Sequence, residues 1–494
     1  MNKSSRRDTL KIVGGALGGI SLLGPGGADG QALGSLPNSY NFYRILSANQ
    51  GGRFSGSPNL LGDISGSVML AAPSSKSGIG YIYVHGTRSD SGASGVFEIS
   101  LNFSQTPPVV QRVTSIAHEG RSLEIDGRII VVGQIGTGAT NTLGQYVTTI
   151  APIERSDSIE PENAPAVFAF QPHGNGNGTW SRVVSFGDPV PDGSSLYGGD
   201  FGDLAIDDDQ NLLLAAATTR DPGDSVSGFA CSQALISTSL SSTSRGRVVM
   251  QTGDMLPFGA GVVESIGLVD LAPRNAFAAQ ITARRVGPSA SRSATALIAG
   301  NTQAAFSQQT IVAASPDLIA PGLAAQRNIT SGETYFGPRV DPLQNVAFVT
   351  HDGTFESSIG SNANEKLGYY SRGSVRQLLN AQISAGEDEV LSFGAPCIGS
   401  TGFMFGTEML GSGKSRLFVS NGVSSNVLLR SGEDRISGRN PDGNLVVTEM
   451  LLGQHSNQVD KSGIIVFTAE FIRESTLGTE ASNILTALVI GIPR

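Results

Sequence analysis

Short apolar runs separated by tight polar turns recur along the chain. The pattern is clearest at Ile206-Asp207-Asp208-Asp209-Gln210-Asn211, which runs into Leu212-Leu213-Leu214-Ala215-Ala216-Ala217. Asn and Gly tolerate positive φ and Asp bonds its own backbone, so such turns predict β-hairpins. Seven hairpins can be read, with turns near Gly66, Gly127, Asn211, Asn275, Asn345, Gly402 and Gly463. Their outgoing arms, among them Val68-Met69-Leu70-Ala71, Ile129-Ile130-Val131-Val132 and Ile464-Ile465-Val466-Phe467, are apolar throughout. Continuous apolar runs suit strands buried on both faces.

Each hairpin, with arms A and B, is followed by a C strand, such as Val96-Phe97-Glu98-Ile99 or Phe229-Ala230-Cys231. A D strand follows the first six C strands, but the seventh unit stops at C because the chain stops at Arg494. The missing strand is supplied by an orphan, Phe42-Tyr43-Arg44-Ile45-Leu46-Ser47. An N-terminal strand pairing into the last sheet closes a ring and leaves no open edge. The expected fold is therefore all-β, a seven-bladed β-propeller over residues 41–494 closed by its N-terminal strand. A pair of β-sandwiches would also give many short strands, but not the sevenfold register or the orphan. The unit resembles the blade of TolB-like propellers, although Pro441-Asp442-Gly443 stands outside the repeat position. That resemblance is architectural and implies no activity.

Composition agrees with this reading. Gly is frequent, at 64 residues, and only 15% of residues are charged, as tight turns between short strands require. A net charge of −9 excludes the basic footprint of a nucleic-acid binder. Cys231 and Cys397 make no disulfide scaffold. They are placed on C of the third unit and A of the sixth, nearly across the ring and too far apart to bridge.

Residues 1–32 are read as an address and 33–40 as a linker. Ser5-Arg6-Arg7-Asp8-Thr9-Leu10-Lys11 resembles the twin-arginine export signal, with Thr9 where that family usually has Phe. A glycine-diluted apolar stretch from Ile12 to Leu23 follows, too short for a spanning helix. The resemblance implies the Tat export machinery as a partner, a periplasmic or extracellular location, and no stable membrane span.

The A–B and C–D turns of such a unit share one face, and the B–C and D–A connections the other. The long polar connections are mostly B–C and D–A, which places the functional surface on that face. Acids at D-strand ends, including Asp188, Asp254 and Glu433, form a candidate ring, but Asp there also makes Asx turns. The triple acid Asp207-Asp208-Asp209 invites a cation, yet it lies on the A–B side and lacks a downstream chelating Glu. No metal and no cofactor are expected. Asn175-Gly176-Asn177-Gly178-Thr179-Trp180 faintly resembles the Asp-box of sialidase-type propellers, without its Ser and Asp, and reads as a C–D turn with a packing Trp. Gly136-Thr137-Gly138 follows no βαβ pattern, so no nucleotide site is expected.

His455, His351, Arg339 and Asp203 are the candidate catalytic residues at the channel mouth. No nucleophile elbow or metal-spaced histidine pair is present. The expected function is a non-enzymatic exported propeller that binds a glycan, peptide or protein on its long-loop face. The alternative is an extracytoplasmic hydrolase or lyase at the channel mouth.

Overall fold

The computed structural model describes residues 36–494, except 38, 50–52, 55–60, 72–77, 154–163, 174–176, 192, 194, 220–231, 241–245, 258–260, 287–292, 316–317, 319–333, 353–363, 372, 381–388, 400, 435, 437–444, 453–457, 461 and 474–484. His455, Cys231 and the export-signal residues lie outside the described residues.

The fold is an all-β propeller, whose described strands form consecutive, mainly antiparallel sheets. The first sheet is Leu61–Ala71, Ile79–Arg88, Ser94–Asn102 and Val109–His118. The third is Leu196–Ile206, Asn211–Thr219, Ser232–Ser239 and Arg247–Gln251. The fourth is Gly261–Ala272, Ala276–Arg285, Ser293–Asn301 and Thr310–Ala314. The fifth is Thr334–Val340, Val346–Asp352, Asn364–Ser371 and Ser374–Asn380. The sixth has a split A strand, Val390–Phe393 and Cys397–Ile398, then Met404–Leu410, Ser415–Ser420 and Ser425–Arg430. The last is Leu445–Leu451, Ile465–Arg473 and Leu485–Pro493, completed by Tyr40–Asn49. That N-terminal strand pairs antiparallel with the chain's last strand, from Tyr40 opposite Pro493 to Ala48 opposite Thr486.

The expectation of seven four-stranded blades is corrected to six open blades and one closed sheet. The second sheet holds Ser122–Ile125, Arg128–Thr140, Tyr146–Pro152, Ala166–Pro172 and Gly178–Ser185. Its strand Arg128–Thr140 is long enough to pair twice, with Ser122–Ile125 at one end and with Tyr146–Pro152 at the other. Ile125 then meets Trp180 in a parallel pairing that closes the sheet. Trp180 is buried and packs on Phe170, with centroids 5.2 Å apart.

Two registers read from sequence are corrected with it. Gly127 belongs to a hairpin, with positive φ at Asp126 and Gly127, that precedes the A strand proper. The second A–B turn is Asn141–Gln145, so Ile129 to Val132 are not the B strand. Gly66 lies within an A strand, at an irregularity between Ile64 and Val68, and the first B strand is Ile79–Arg88. The third C strand is described over Ser232–Ser239, and the expected Phe229-Ala230-Cys231 lies outside the described residues.

Five A–B turns share one construction. In Asn141–Gln145, Asp207–Asn211, Asp341–Asn345, Gly399–Phe403 and Asp460–Ile464 the first N–H donates to the fifth carbonyl at 2.9–3.2 Å. The fourth N–H donates back to the first carbonyl, and the fourth residue (Gly144, Gln210, Gln344, Gly402, Gly463) has positive φ. Where Asp leads, its carboxylate accepts the fifth backbone N–H at 2.8–2.9 Å. Asp341 also accepts from Leu343 N and Asn345 Nδ2. Asp341→Ala is expected to cost about 1–3 kcal/mol, the penalty for orphaning buried donors, measurable by urea unfolding.

Apolar clusters join consecutive sheets. One links the third sheet's Leu213 and Leu235 to the fourth's Phe277, and another the sixth's Phe405 to the last sheet's Phe467. Leu46 of the N-terminal strand sits in the cluster that joins the last sheet to Ile82 and Phe97 of the first. The A strands of neighbouring sheets touch one another, so they are the innermost.

Candidate functional site

The inner strands share a defect that organises the chemistry at the axis. In four A strands two residues stand opposite one partner: Gly136-Thr137, Gly202-Asp203, Gly267-Leu268 and Gly337-Pro338. The sixth A strand bulges likewise at Gly394-Ala395-Pro396. Each bulge follows an apolar residue, giving Ile135-Gly136, Phe201-Gly202, Ile266-Gly267, Phe336-Gly337 and Phe393-Gly394. A bulge interrupts the ladder and leaves backbone donors without a strand partner.

Side chains from the preceding sheet take up these donors. Val269 N–H donates to Asp203 Oδ2 at 2.8 Å, and Val340 N–H to Asp270 Oδ2 at 2.7 Å. Ile266 N–H donates to Gln233 Oε1 at 2.8 Å, and Phe393 N–H to Glu365 Oε2 at 2.6 Å. Each donor flanks the bulge of the next sheet. Arg339 follows the fifth bulge, and its Nη1 donates to the bulge carbonyl of Pro338 at 2.9 Å. Arg339 and Asp270 are only 5% and 3% exposed, so both charges are buried.

Burial pushes the Asp270 carboxyl up to about 6, against the pull of Arg339 and of Val340 N–H. Burial also raises Asp203, opposed by Val269 N–H and Arg339. Of the four sequence candidates, Arg339 thus acts electrostatically on Asp203, and on Asp270 as well. His351 lies in the fifth B strand, opposite Thr334. Asp270 was missed although it carried a signal, an acid inside the apolar run Leu268-Val269-Asp270-Leu271-Ala272.

The triple acid works as a clasp between sheets. Asp207 closes its own turn through Asn211 N–H and Nδ2. Asp208 Oδ1 accepts Thr142 N–H of the second sheet, and Asp209 Oδ2 accepts Arg274 N–H of the fourth. At D-strand ends, Asp188 and Asp254 accept from Ser185 N–H and Gln251 N–H, as Asx-type turns do. Cys397 is a buried thiol whose Sγ points at Gln458 Oε1, 3.9 Å away.

A second polar cluster, unforeseen from sequence, joins the first two sheets. His85 Nε2 and Tyr146 Oη are 2.6 Å apart. Tyr146 stacks on Tyr83 at 5.0 Å, and Tyr83 Oη donates to Gly144 O at 2.6 Å, with Glu98 Oε2 3.4 Å away. A Cβ on Gly138 would lie 2.2 Å from Tyr146 Oη, so Gly136-Thr137-Gly138 makes room for this hydroxyl rather than for a phosphate. Burial pushes the His85 imidazole down to about 4 and the Glu98 carboxyl up to about 7.

These shifts have a sign. Burial raises Glu98 to about 7 and Asp207, Asp270 and Asp341 to about 6. The folded state then holds more protons than the unfolded one between about pH 4 and 7, so stability falls as pH rises through that window. His85 acts oppositely, but only below its unfolded value near 6.5. The thermal midpoint is expected to be several degrees higher at pH 5.5 than at pH 8, and Glu98→Gln should flatten the slope near pH 7.

A depression of about 50 Å³ lined by Leu379, Phe418, Ser420 and Val423 lies by the C–D turn of the sixth sheet, on the opposite face. It holds little more than a water or two. Among the described residues no group of three or more His, Cys, Asp or Glu is arranged to hold a metal, and no helix is long and apolar enough to cross a membrane.

No protein-family model matches the chain, and no curated protein does. Among solved structures, the chain is similar to the β-propeller domain of the trilobed protease from Pyrococcus furiosus, at 10% identity and TM-score 0.42, covering 86% of this chain and 94% of that one. It is similar to an ulvan lyase of polysaccharide lyase family PL25 at 9% identity and TM-score 0.40, over 87% and 95%. A third is the acylaminoacyl peptidase of Pyrococcus horikoshii, at 7% identity and TM-score 0.39, over 82% of this chain and 51% of that one. At such identities the likeness concerns the fold alone.

Proposed function

We propose that this protein is an exported propeller that binds a glycan, peptide or protein on the face formed by its B–C and D–A connections. The observation that carries this reading is the use made of the inner polar groups. Asp203, Asp270 and Glu365 each accept a backbone N–H flanking the next bulge. Acids committed to the scaffold leave recognition to the loops.

The reading extends to the whole chain. The twin-arginine motif of residues 1–32 supports export to the periplasm or beyond, and a short linker from residue 33 leads into the propeller, whose first strand begins at Tyr40. The closed second sheet holds the ring position between the first and third, giving seven TolB-like positions. Supporting this, Tyr83 of the first sheet bonds Gly144, and Thr142 bonds Asp208 of the third.

The test is a thermal-shift screen of the mature protein against envelope glycans and peptides, with product analysis in parallel. A ligand present at 100 times its Kd should stabilise the fold by about 2.7 kcal/mol without being consumed. A second reading, a hydrolase or lyase, draws on the His85–Tyr146 pair, whose 2.6 Å contact suits proton transfer. Products that vanish in His85→Ala, in a variant that stays folded, would favour it.

A further inference from the structure

We propose that Arg88, His118 and Arg121 form a subsite for the carboxylate or sulfate group of an acidic glycan. This rests on the binding-face reading above and supplies the chemistry that face recognises. Arg88 ends the first B strand, His118 ends the first D strand, and Arg121 follows in the D–A connection, so all three belong to the loop face.

The cluster sets two arginines and a histidine against one acid, Asp90. Arg88 is bound by Asp90, its Nε donating to Oδ1 at 2.8 Å and its Nη2 to Oδ2 at 2.5 Å. Asp90 sits on an exposed turn with its side chain 44% accessible, against 18% for Arg88, so an incoming anion can compete with it. Arg88 Nη1 faces His118 Nε2 at 3.5 Å, a poor hydrogen bond at best. Ser115 Oγ holds the other ring nitrogen of His118 at 3.0 Å and fixes the ring. Arg121 donates through Nη1 to the Ser115 carbonyl and finds no other acceptor among the described residues. The nearby Glu119 makes no ion pair with it. The arginines also depress each other's surroundings: burial and then Arg88 lower Arg121, and burial, Arg88 and Arg121 lower His118.

A half-buried guanidinium with an open fork is the group best suited to a bidentate oxyanion. Binding one here relieves the repulsion between Arg88 and Arg121, which an acidic protein could have avoided by placing neutral residues there. The surroundings favour a hydroxylated chain over a protein. Ser89, Ser91, Ser94 and Ser122 lie around the cluster in sequence, and the exposed large apolar side chains nearest it, Ile129 and Ile153, belong to the second sheet. Protein interfaces depend on such apolar anchors.

The test is calorimetric titration of the mature protein with oligogalacturonate, its methyl-esterified form, dextran sulfate, dextran and polyglutamate. The wild type should bind one of the charged glycans at least about tenfold more tightly than its neutral counterpart, with affinity falling as salt rises. Arg121→Gln and Arg88→Gln should each remove about tenfold of that preference, while Arg182→Gln on the outer strand of the second sheet should not. Equal binding of charged and neutral chains, no loss in Arg121→Gln, or binding of polyglutamate alone would overturn the subsite. Binding of a neutral chain untouched by Arg121→Gln would leave the binding face standing. Binding of none of the five would count against both.

Discussion

Deleting residues 40–49 is expected to abolish the cooperative unfolding transition of the whole chain. The strand Tyr40–Asn49 is the outer partner of Leu485–Pro493, and its loss exposes that strand as a bare edge. Tyr40 and Leu46 are buried by this pairing, and together they contribute about 3–6 kcal/mol. That is comparable with the total stability of an ordinary domain, about 5–15 kcal/mol. The ties at the chain end go with it: Tyr40 Oη donates to Gly463 O at 3.0 Å, Arg494 N–H to Ser39 O at 3.1 Å, and Arg494 Nε to Asn41 Oδ1 at 2.7 Å. Leu46 also belongs to the apolar cluster between the last and first sheets, so the damage reaches the ring seam. Urea unfolding and size exclusion check this. The truncated chain should associate and lack a sharp transition, and a peptide spanning 40–49 should restore one. An unchanged midpoint would refute the closure.

Asp270→Ala is expected to destabilise the protein by about 1–3 kcal/mol, the cost of leaving a buried backbone donor without its acceptor. Val340 N–H loses its acceptor, and the buried Arg339 loses the favourable charge of Asp270. Asp209→Ala serves as the comparison. Its carboxylate also bridges sheets, to Arg274 N–H, but it stands exposed at 3.3 Å, so less than about 1 kcal/mol is expected. Equilibrium denaturation of the two variants beside the wild type measures the difference.

The fold was legible where turn chemistry and burial pointed the same way. Asp207–Asn211, Asp341–Asn345 and Asp460–Ile464 combine a capping Asp with a fourth residue at positive φ, and the turns placed there from sequence are the turns found. The orphan strand at Phe42 was legible because a unit lacking its last strand needs one. The first two units misled for a physical reason. Glycine marks a turn and a bulge alike, so Gly66 inside an A strand and Gly127 in an extra hairpin both imitated the A–B turn. The recurring pairs Ile135-Gly136, Phe201-Gly202, Ile266-Gly267, Phe336-Gly337 and Phe393-Gly394 would have located the bulges and corrected the register.

Less of the site was legible. Arg339 and Asp203 were singled out for the axis from their places in the repeat, but each is bonded to backbone in a way that no linear motif announces. The His85–Tyr146 contact joins residues 61 apart across two sheets, and only Gly138, which leaves space for the hydroxyl, hints at it in sequence. The Arg88, His118 and Arg121 cluster depends on two strand ends meeting on one face.

The central claim is that the inner carboxylates serve the scaffold and that recognition belongs to the loop face. Asp270→Asn tests it most directly, because an amide oxygen can still accept from Val340 N–H while the charge is gone. Stability and ligand binding are to be measured on the same preparation, using whichever member of the glycan and peptide panel stabilises the wild type. The account predicts a loss of stability smaller than that of Asp270→Ala, with binding unchanged. Binding or turnover lost at undiminished stability would contradict it and return the chemistry to the axis.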